Sequence, residues 1–130
     1  MHEKRVDIRW ADLDGFGHVN QAVYLTYAEE VLDAWFRQKL QLPAGAVWDY
    51  VAARNALDYR SELTQSDLQA VGSVSLVELG QKSITVRITL SAPDGRLATE
   101  IESVVVVVDG RRGPSRALTD AERRALAAAD

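Results

Sequence analysis

Cysteine is absent from the sequence. Disulfides, thiolate nucleophiles and cysteine-based metal sites are excluded together. Histidine is nearly as scarce: there are two, and one is His2 at the very start. A multi-histidine metal centre has too few ligands. Basic residues do not predominate either. Fifteen Lys and Arg stand against 19 Asp and Glu, a formal net charge of −4. The basic footprint of a nucleic-acid binder is therefore missing. No apolar run reaches bilayer-spanning length, the longest being the strand-like Val104–Val108. The first ten residues alternate charge and bulk and hold no signal-peptide hydrophobic stretch. The expectation is a cytoplasmic protein with no membrane partner and no nucleic-acid partner.

What is present suits one ordinary domain covering residues 1–130. Hydrophobic residues make up 47% and charged residues 26% of 130 positions, enough to bury a core without disulfide or metal. There is no internal repeat, low-complexity segment or second domain.

Val6, Ile8 and Trp10 alternate with Asp7 and Arg9, a period of two that predicts a first strand. Asp12 to Gly17 breaks the pattern as a loop. From Asn20 the period becomes helical. Tyr24, Ala28, Val31 and Trp35 recur at spacings of three and four, flanked by Tyr27, Leu32 and Phe36, which gives the wide apolar face of a buried helix. Asn20 is its expected N-cap, and Leu42-Pro43 and Gly45 end it. Strands are then expected over Ala52–Leu63, Leu68–Leu79, Ser83–Leu90 and Leu97–Val108. Turns fall at Gly80-Gln81 and Pro93-Asp94-Gly95. The valine-rich end of the last strand suggests burial on both faces. Thr119 with Glu122 reads as the capping box of a short C-terminal helix, with fraying expected over the last ten residues. An α+β fold follows: a long central helix wrapped by a curved antiparallel sheet of about five strands.

The chemistry concentrates in Arg9-Trp10-Ala11-Asp12-Leu13-Asp14-Gly15-Phe16-Gly17-His18-Val19-Asn20-Gln21-Ala22-Val23-Tyr24. Two carboxylates, two glycines and a histidine precede a helix N-terminus. Backbone N–H groups there lack intrahelical partners and carry partial positive charge. They suit a carbonyl oxygen gaining negative charge. A carboxylate opposite can attack the carbonyl or deprotonate water. Other motifs fail on this segment. Gly15-Phe16-Gly17 with Asn20 lacks the third glycine of a dinucleotide loop, and βαβ units are missing. A calcium loop in the register of Asp12 and Asp14 would need ligands at Trp10 and Gln21. Gly113-Pro114-Ser115-Arg116-Ala117 is a broken nucleophile elbow too near the C-terminus.

The pattern Asp-x-Asp-x-x-Gly-His-Val-Asn-x-x-x-Tyr, from Asp12 to Tyr24, resembles the signature of the 4-hydroxybenzoyl-CoA thioesterase-like hotdog family. The likeness continues through Tyr27 and Glu30 and weakly to Asp58-Tyr59-Arg60-Ser61-Glu62-Leu63. It implies a hotdog fold and hydrolysis of an acyl-coenzyme A thioester. Asp14 would be the catalytic carboxylate, as general base or nucleophile. The helix start near Asn20 and Gln21 would polarise the carbonyl through backbone N–H groups. The family often has a second asparagine where this chain has Gln21, a change a backbone contact survives. The likeness further implies a homodimer, or a dimer of dimers, with sheets joined edge to edge and active sites at the subunit interface.

Each residue also has a plainer role. Taken alone, Asp14 is a loop aspartate satisfying turn N–H groups. Asp12 is read as structural, orienting the loop. His18 can contact substrate or lock the loop; Tyr24 can contact substrate or pack in the core; Asn20 can simply cap. Arg54, Arg60, Lys82 and Arg87 are candidates for coenzyme A phosphates and equally for solvated charges. No metal ion and no redox cofactor is expected. Two other activities fit the same loop: an acyl-CoA-binding hotdog protein without turnover, and a hotdog dehydratase or hydratase.

Overall fold

The computed structural model describes residues 3–129, so His2 lies outside the described residues. Five strands and two helices follow in the order β1 (Glu3–Asp7), α1 (Val23–Lys39), β2 (Tyr50–Tyr59), β3 (Gln69–Leu79), β4 (Ser83–Ser91), β5 (Leu97–Val107) and α2 (Asp120–Ala127). The strands form one antiparallel sheet ordered β1-β3-β4-β5-β2. The chain leaves β1 at one edge, crosses the sheet as α1 and enters β2 at the other edge. It then returns to lay β3 beside β1. This is the hotdog arrangement that the helix-then-hairpins order predicts.

The core lies between α1 and the concave face of the sheet. Tyr24, Tyr27, Ala28, Val31, Leu32, Trp35 and Phe36 are buried on α1. They meet Ile84, Val86, Ile88 and Leu90 of β4 and Ile101, Val105 and Val107 of β5. Fully burying one such large side chain stabilises by roughly 1.5–3 kcal/mol. Close approach of helix and sheet needs Gly72 of β3: a Cβ there would collide with both γ-methyl groups of Val31.

Several boundaries differ from the sequence reading. β1 ends at Asp7, and Trp10 is not an inward strand residue but 83% exposed. The Arg9 N–H donates to the Asp12 carboxylate (2.9 Å), which winds Trp10–Asp12 into a 3-10 turn. Helix α1 begins at Val23, with Ala22 in the cap position. β2 starts at Tyr50 and stops at Tyr59. Past that point the N–H groups of Arg60 and Ser61 both reach the Ala98 carbonyl (2.7 and 3.2 Å), and the strand ladder closes. The valine-rich end of β5 buries Val105 and Val107, while Val104 and Val106 on the outer face are half-buried. The C-terminal segment is docked rather than frayed: Leu126 of α2 is buried.

Helix α1 stops by a two-bond C-terminal cap. The Leu42 N–H reaches the Arg37 carbonyl (3.0 Å) and the Gln41 N–H reaches that of Gln38 (3.2 Å), with Gln41 left-handed at φ +52°. At α2 the Thr119 hydroxyl accepts from the Glu122 N–H (3.1 Å) and the Glu122 carboxylate from the Thr119 N–H (2.8 Å), the predicted capping box.

Candidate active site at the start of the central helix

The loop between β1 and α1 is pinned from below by Asp12. Its buried carboxylate accepts from the Arg9 N–H (2.9 Å), the Arg9 guanidinium (2.9 Å) and the Tyr27 hydroxyl (2.7 Å). Burial pushes the Asp12 pKa up, but these bonds outweigh it and hold the group below its ordinary value. Burial, with the Asp12 charge beside it, pushes the Tyr27 phenol up, so the pair is phenol and carboxylate at neutral pH. The Asn20 N–H also closes onto the Asp12 carbonyl (2.8 Å). Asp12 thus has the orienting role expected of it.

Asp14 sits at the head of the next turn. Its Oδ1 accepts from the N–H groups of Phe16 (2.8 Å) and His18 (3.2 Å), and its own N–H donates to the His18 carbonyl (2.7 Å). Gly17, at φ +82°, supplies the left-handed residue that lets the chain fold back. Among the described residues nothing donates to Oδ2. One oxygen therefore anchors the turn and the other remains available, so the structural role leaves an oxygen of the same carboxylate unbonded.

The loop then joins the far side of the molecule. The Val19 N–H donates to the Leu63 carbonyl (2.8 Å), and the Leu63 N–H donates to the Tyr24 hydroxyl (2.8 Å). His18 Nε2 lies 3.1 Å from Glu62 Oε2. Tyr24 is buried and packs edge-on against Tyr59 (centroids 5.4 Å apart), and the Tyr59 hydroxyl donates to the Gln21 carbonyl (2.9 Å). These contacts enclose a cleft of about 390 Å³ lined by Asp14, His18, Gln21, Tyr24, Tyr59 and Glu62.

Four of the five residues singled out from sequence therefore share one cleft. Asn20 does not line it. Its carboxamide accepts the Ala22 N–H (3.0 Å) and its carbonyl the Val23 N–H (2.8 Å), which organises the turn into α1. That arrangement leaves the Gln21 N–H without an acceptor among the described residues. The cleft thus pairs an available carboxylate oxygen with a free donor at the positive end of a helix. Tyr59 and Glu62 were missed as site residues; the only signal was the weak motif Asp58 to Leu63. Of the four proposed phosphate-binding cations, Arg60 alone borders the cleft, and its guanidinium bonds Glu100 (3.1 Å). Arg54 pairs with Glu102 (3.0 Å), and Lys82 donates to the Ser115 hydroxyl (3.3 Å).

Among the described residues no group of three His, Asp or Glu side chains is placed to hold a metal ion. No helix is long and apolar enough to cross a membrane.

Comparison with known proteins agrees with this geometry. The family model described as the thioesterase-like superfamily matches residues 8–127. Among solved structures, a thioesterase of Thermus thermophilus complexed with coenzyme A and Zn is 30% identical. The match covers 95% of this chain and 90% of that one, with a TM-score of 0.78. A predicted thioesterase of Bacillus stearothermophilus is 21% identical over 95% of this chain and 92% of that one, at a TM-score of 0.84. A 1,4-dihydroxy-2-naphthoyl-CoA thioesterase of Synechocystis is 14% identical over 95% and 93%, at a TM-score of 0.78. These last two, at such identity, speak for the fold alone. No curated protein matches the sequence.

Proposed function

The chain belongs to the thioesterase-like superfamily, and from that premise we propose that it hydrolyses an acyl-coenzyme A thioester to the free acid and coenzyme A in the cleft at the start of α1. The observation that carries the reading is the division of labour within one carboxylate. Asp14 Oδ1 is tied to two backbone N–H groups and Oδ2 is not, beside a free N–H at Gln21. The thioester carbonyl oxygen accepts from that N–H, and the helix dipole favours the charge that grows on it. Asp14 Oδ2 takes a proton from water as the water oxygen bonds to the carbonyl carbon. The tetrahedral oxyanion then collapses, the carbon–sulfur bond breaks, and the thiolate leaves with the proton. Direct attack by Oδ2 is the other route. The carbon–sulfur bond breaks as a mixed anhydride forms, the coenzyme A thiolate leaves, and water then hydrolyses the anhydride to the free acid and the Asp14 carboxylate. His18, held against Glu62, and Tyr24, on the cleft wall, contact the substrate.

The 30% identical Thermus relative with bound coenzyme A supports the ligand class. The chemistry requires no metal or redox cofactor, and the setting is cytoplasmic. The unit is a homodimer, or a dimer of dimers, joined through a sheet edge. β2 is the sheet's outer strand on the cleft side, and its residues are mostly exposed along its length, an edge that calls for cover.

The test is free-thiol release from aromatic, short-chain and long-chain acyl-CoAs, wild type beside Asp14→Asn. Wild type releases thiol and the variant loses roughly 10²–10⁴-fold in turnover. A folded Asp14→Asn protein of full activity overturns the assignment of Asp14. Binding without release by the folded wild type points to an acyl-CoA-binding protein, and enoyl product without thiol from an added 3-hydroxyacyl-CoA points to a dehydratase.

A further inference from the structure

A second, smaller cavity lies along the same helix. It measures about 140 Å³ and is walled by Leu25, Ala28 and Leu32 of α1 and by Ile88 and Val105 of the sheet. Four polar side chains also line it: Glu29 of α1, Tyr50 and Asn55 of β2, and Ser103 of β5. Asn55 and Ser103 face each other across the strand pair, and the Ser103 hydroxyl donates to Asn55 Oδ1 (2.6 Å). The cavity follows one stripe of α1, through Leu25, Ala28 and Leu32, and the cleft residue Gln21 lies in the turn just before the helix. Cleft and cavity also follow one strand, from Tyr59 to Asn55. Phe36 and Trp48, packed on Tyr50, stand at the far end (4.9 and 5.6 Å between centroids).

Ser103 is out of place by ordinary packing rules, while Asn55 opposite it is exposed on the edge strand. Ser103 is 3% exposed, and its inward neighbours on β5 are Ile101 and Val105. A valine would fill that position without a hydroxyl to satisfy. Asn55 is a poor strand former. A second buried hydroxyl lies on the same inward row: Thr99, paired opposite Tyr59, is 0% exposed and its Oγ1 has no partner among the described residues. Buried polar atoms without a protein partner call for one from elsewhere. The row Thr99, Ile101, Ser103 runs from the position opposite Tyr59 of the cleft to Ser103 of the cavity wall, about 13 Å at the rise of a strand.

Building on the thioesterase reading, we infer that this cavity holds the distal end of the acyl group, and that Ser103 and Asn55 recognise a hydroxyl carried there. The Asn55 amide offers donors and the Ser103 oxygen an acceptor, so one hydroxyl can engage both. The space is that of a cavity which accepts a benzene-sized group, about 150 Å³. It takes a compact tip and not a long hydrocarbon tail. The substrate class is a medium-length acyl thioester oxygenated at the end remote from coenzyme A.

The experiment compares straight-chain acyl-CoAs of four to twelve carbons with their ω-hydroxy counterparts, and palmitoyl-CoA, in wild type, Ser103→Ala and Ser103→Thr. Hydrolysis gives the ratio of kcat/KM within each matched pair. Calorimetric binding to Asp14→Asn gives the same ratio as affinities, whether or not the wild type turns over. The ω-hydroxy member is preferred about tenfold at one intermediate length. The preference collapses in Ser103→Ala and persists in Ser103→Thr, and palmitoyl-CoA is the poorest substrate. Ratios near one at every length, in both assays, overturn the inference. So does a ratio that survives Ser103→Ala while only thermal stability changes, since the pair is then purely structural. Absence of thiol release with the binding preference intact overturns the thioesterase reading and leaves this site standing.

Discussion

Glu122 should set the acid stability of the molecule. Its carboxylate takes both nitrogens of the Arg116 fork (2.8 Å each), the Trp48 indole N–H (2.7 Å) and the Thr119 N–H (2.8 Å). The Arg116 fork is the main cause, and despite opposing burial the pKa falls from 4.5 to about 2. The Glu122 side chain is 14% exposed, so solvent screens the pair only in part. The depression is worth on the order of 3 kcal/mol at neutral pH. Because the folded-state value is the lower one, that stability is full above about pH 5. It drains away as pH falls toward 2, where the folded carboxylate also protonates. Glu122→Gln keeps the acceptor and removes the charge. It should lose about 2–3 kcal/mol at pH 7 and close to nothing near pH 2. Urea unfolding followed by circular dichroism, at fixed protein concentration from pH 7 to pH 2, gives the two curves. Subtracting them removes the contribution of Asp12, whose depressed pKa acts in the same range. Parallel curves across pH 5 to 2 would refute the reasoning.

Other consequences follow from single contacts. Tyr27→Phe takes one donor from the buried Asp12 carboxylate and should cost about 1–3 kcal/mol, with a lower kcat as the loop loosens; an unchanged Tm and kcat would show that Arg9 alone holds the loop. Gly72→Ala drives a methyl group into Val31 and should cost about 1–3 kcal/mol in denaturant unfolding. Thr119→Ala removes the cap of α2 and should cost about 1 kcal/mol, read as a lower thermal midpoint. Light scattering should give twice the mass of the chain, or four times it, and a monomer mass would remove the proposed edge-to-edge pairing.

Legibility from sequence followed the range of the interaction. Local rules carried far. The alternation of Ile84, Val86, Ile88 and Leu90 is β4 as built, and Thr119 with Glu122 is a working capping box. The Asp12–Tyr24 segment pointed to the loop that borders the cleft. Failures arose where a competing local bond or a distant partner overrode the periodic pattern. Trp10 continues the period of two, yet Asp12 draws the Arg9 N–H and turns the chain away from the sheet. Asn20 looks like an N-cap, yet it closes the turn before the helix instead. Tyr59 and Glu62 enter the cleft only because topology returns the end of β2 to the loop about 40 residues earlier. Only the weak motif Asp58 to Leu63 hints at that. Ser103 reads as an ordinary polar interruption in a valine-rich strand until the register sets Asn55 against it.

The groove along α1 has parts that are held by separate contacts. The end at the Asp14 cleft depends on Asp12, Tyr27 and Leu63, which bond the loop and not the cavity wall. The middle is walled by aliphatic side chains and by a polar pair whose partner is each other. The far end is clamped by Phe36, Trp48 and Tyr50, with Trp48 tied through Glu122 to α2. Sites without shared partners respond nearly additively to substitution. Changes at Ser103 or Asn55 should therefore alter which acyl group is taken while leaving the effect of Asp14→Asn on turnover the same. Changes at Tyr27 should do the reverse.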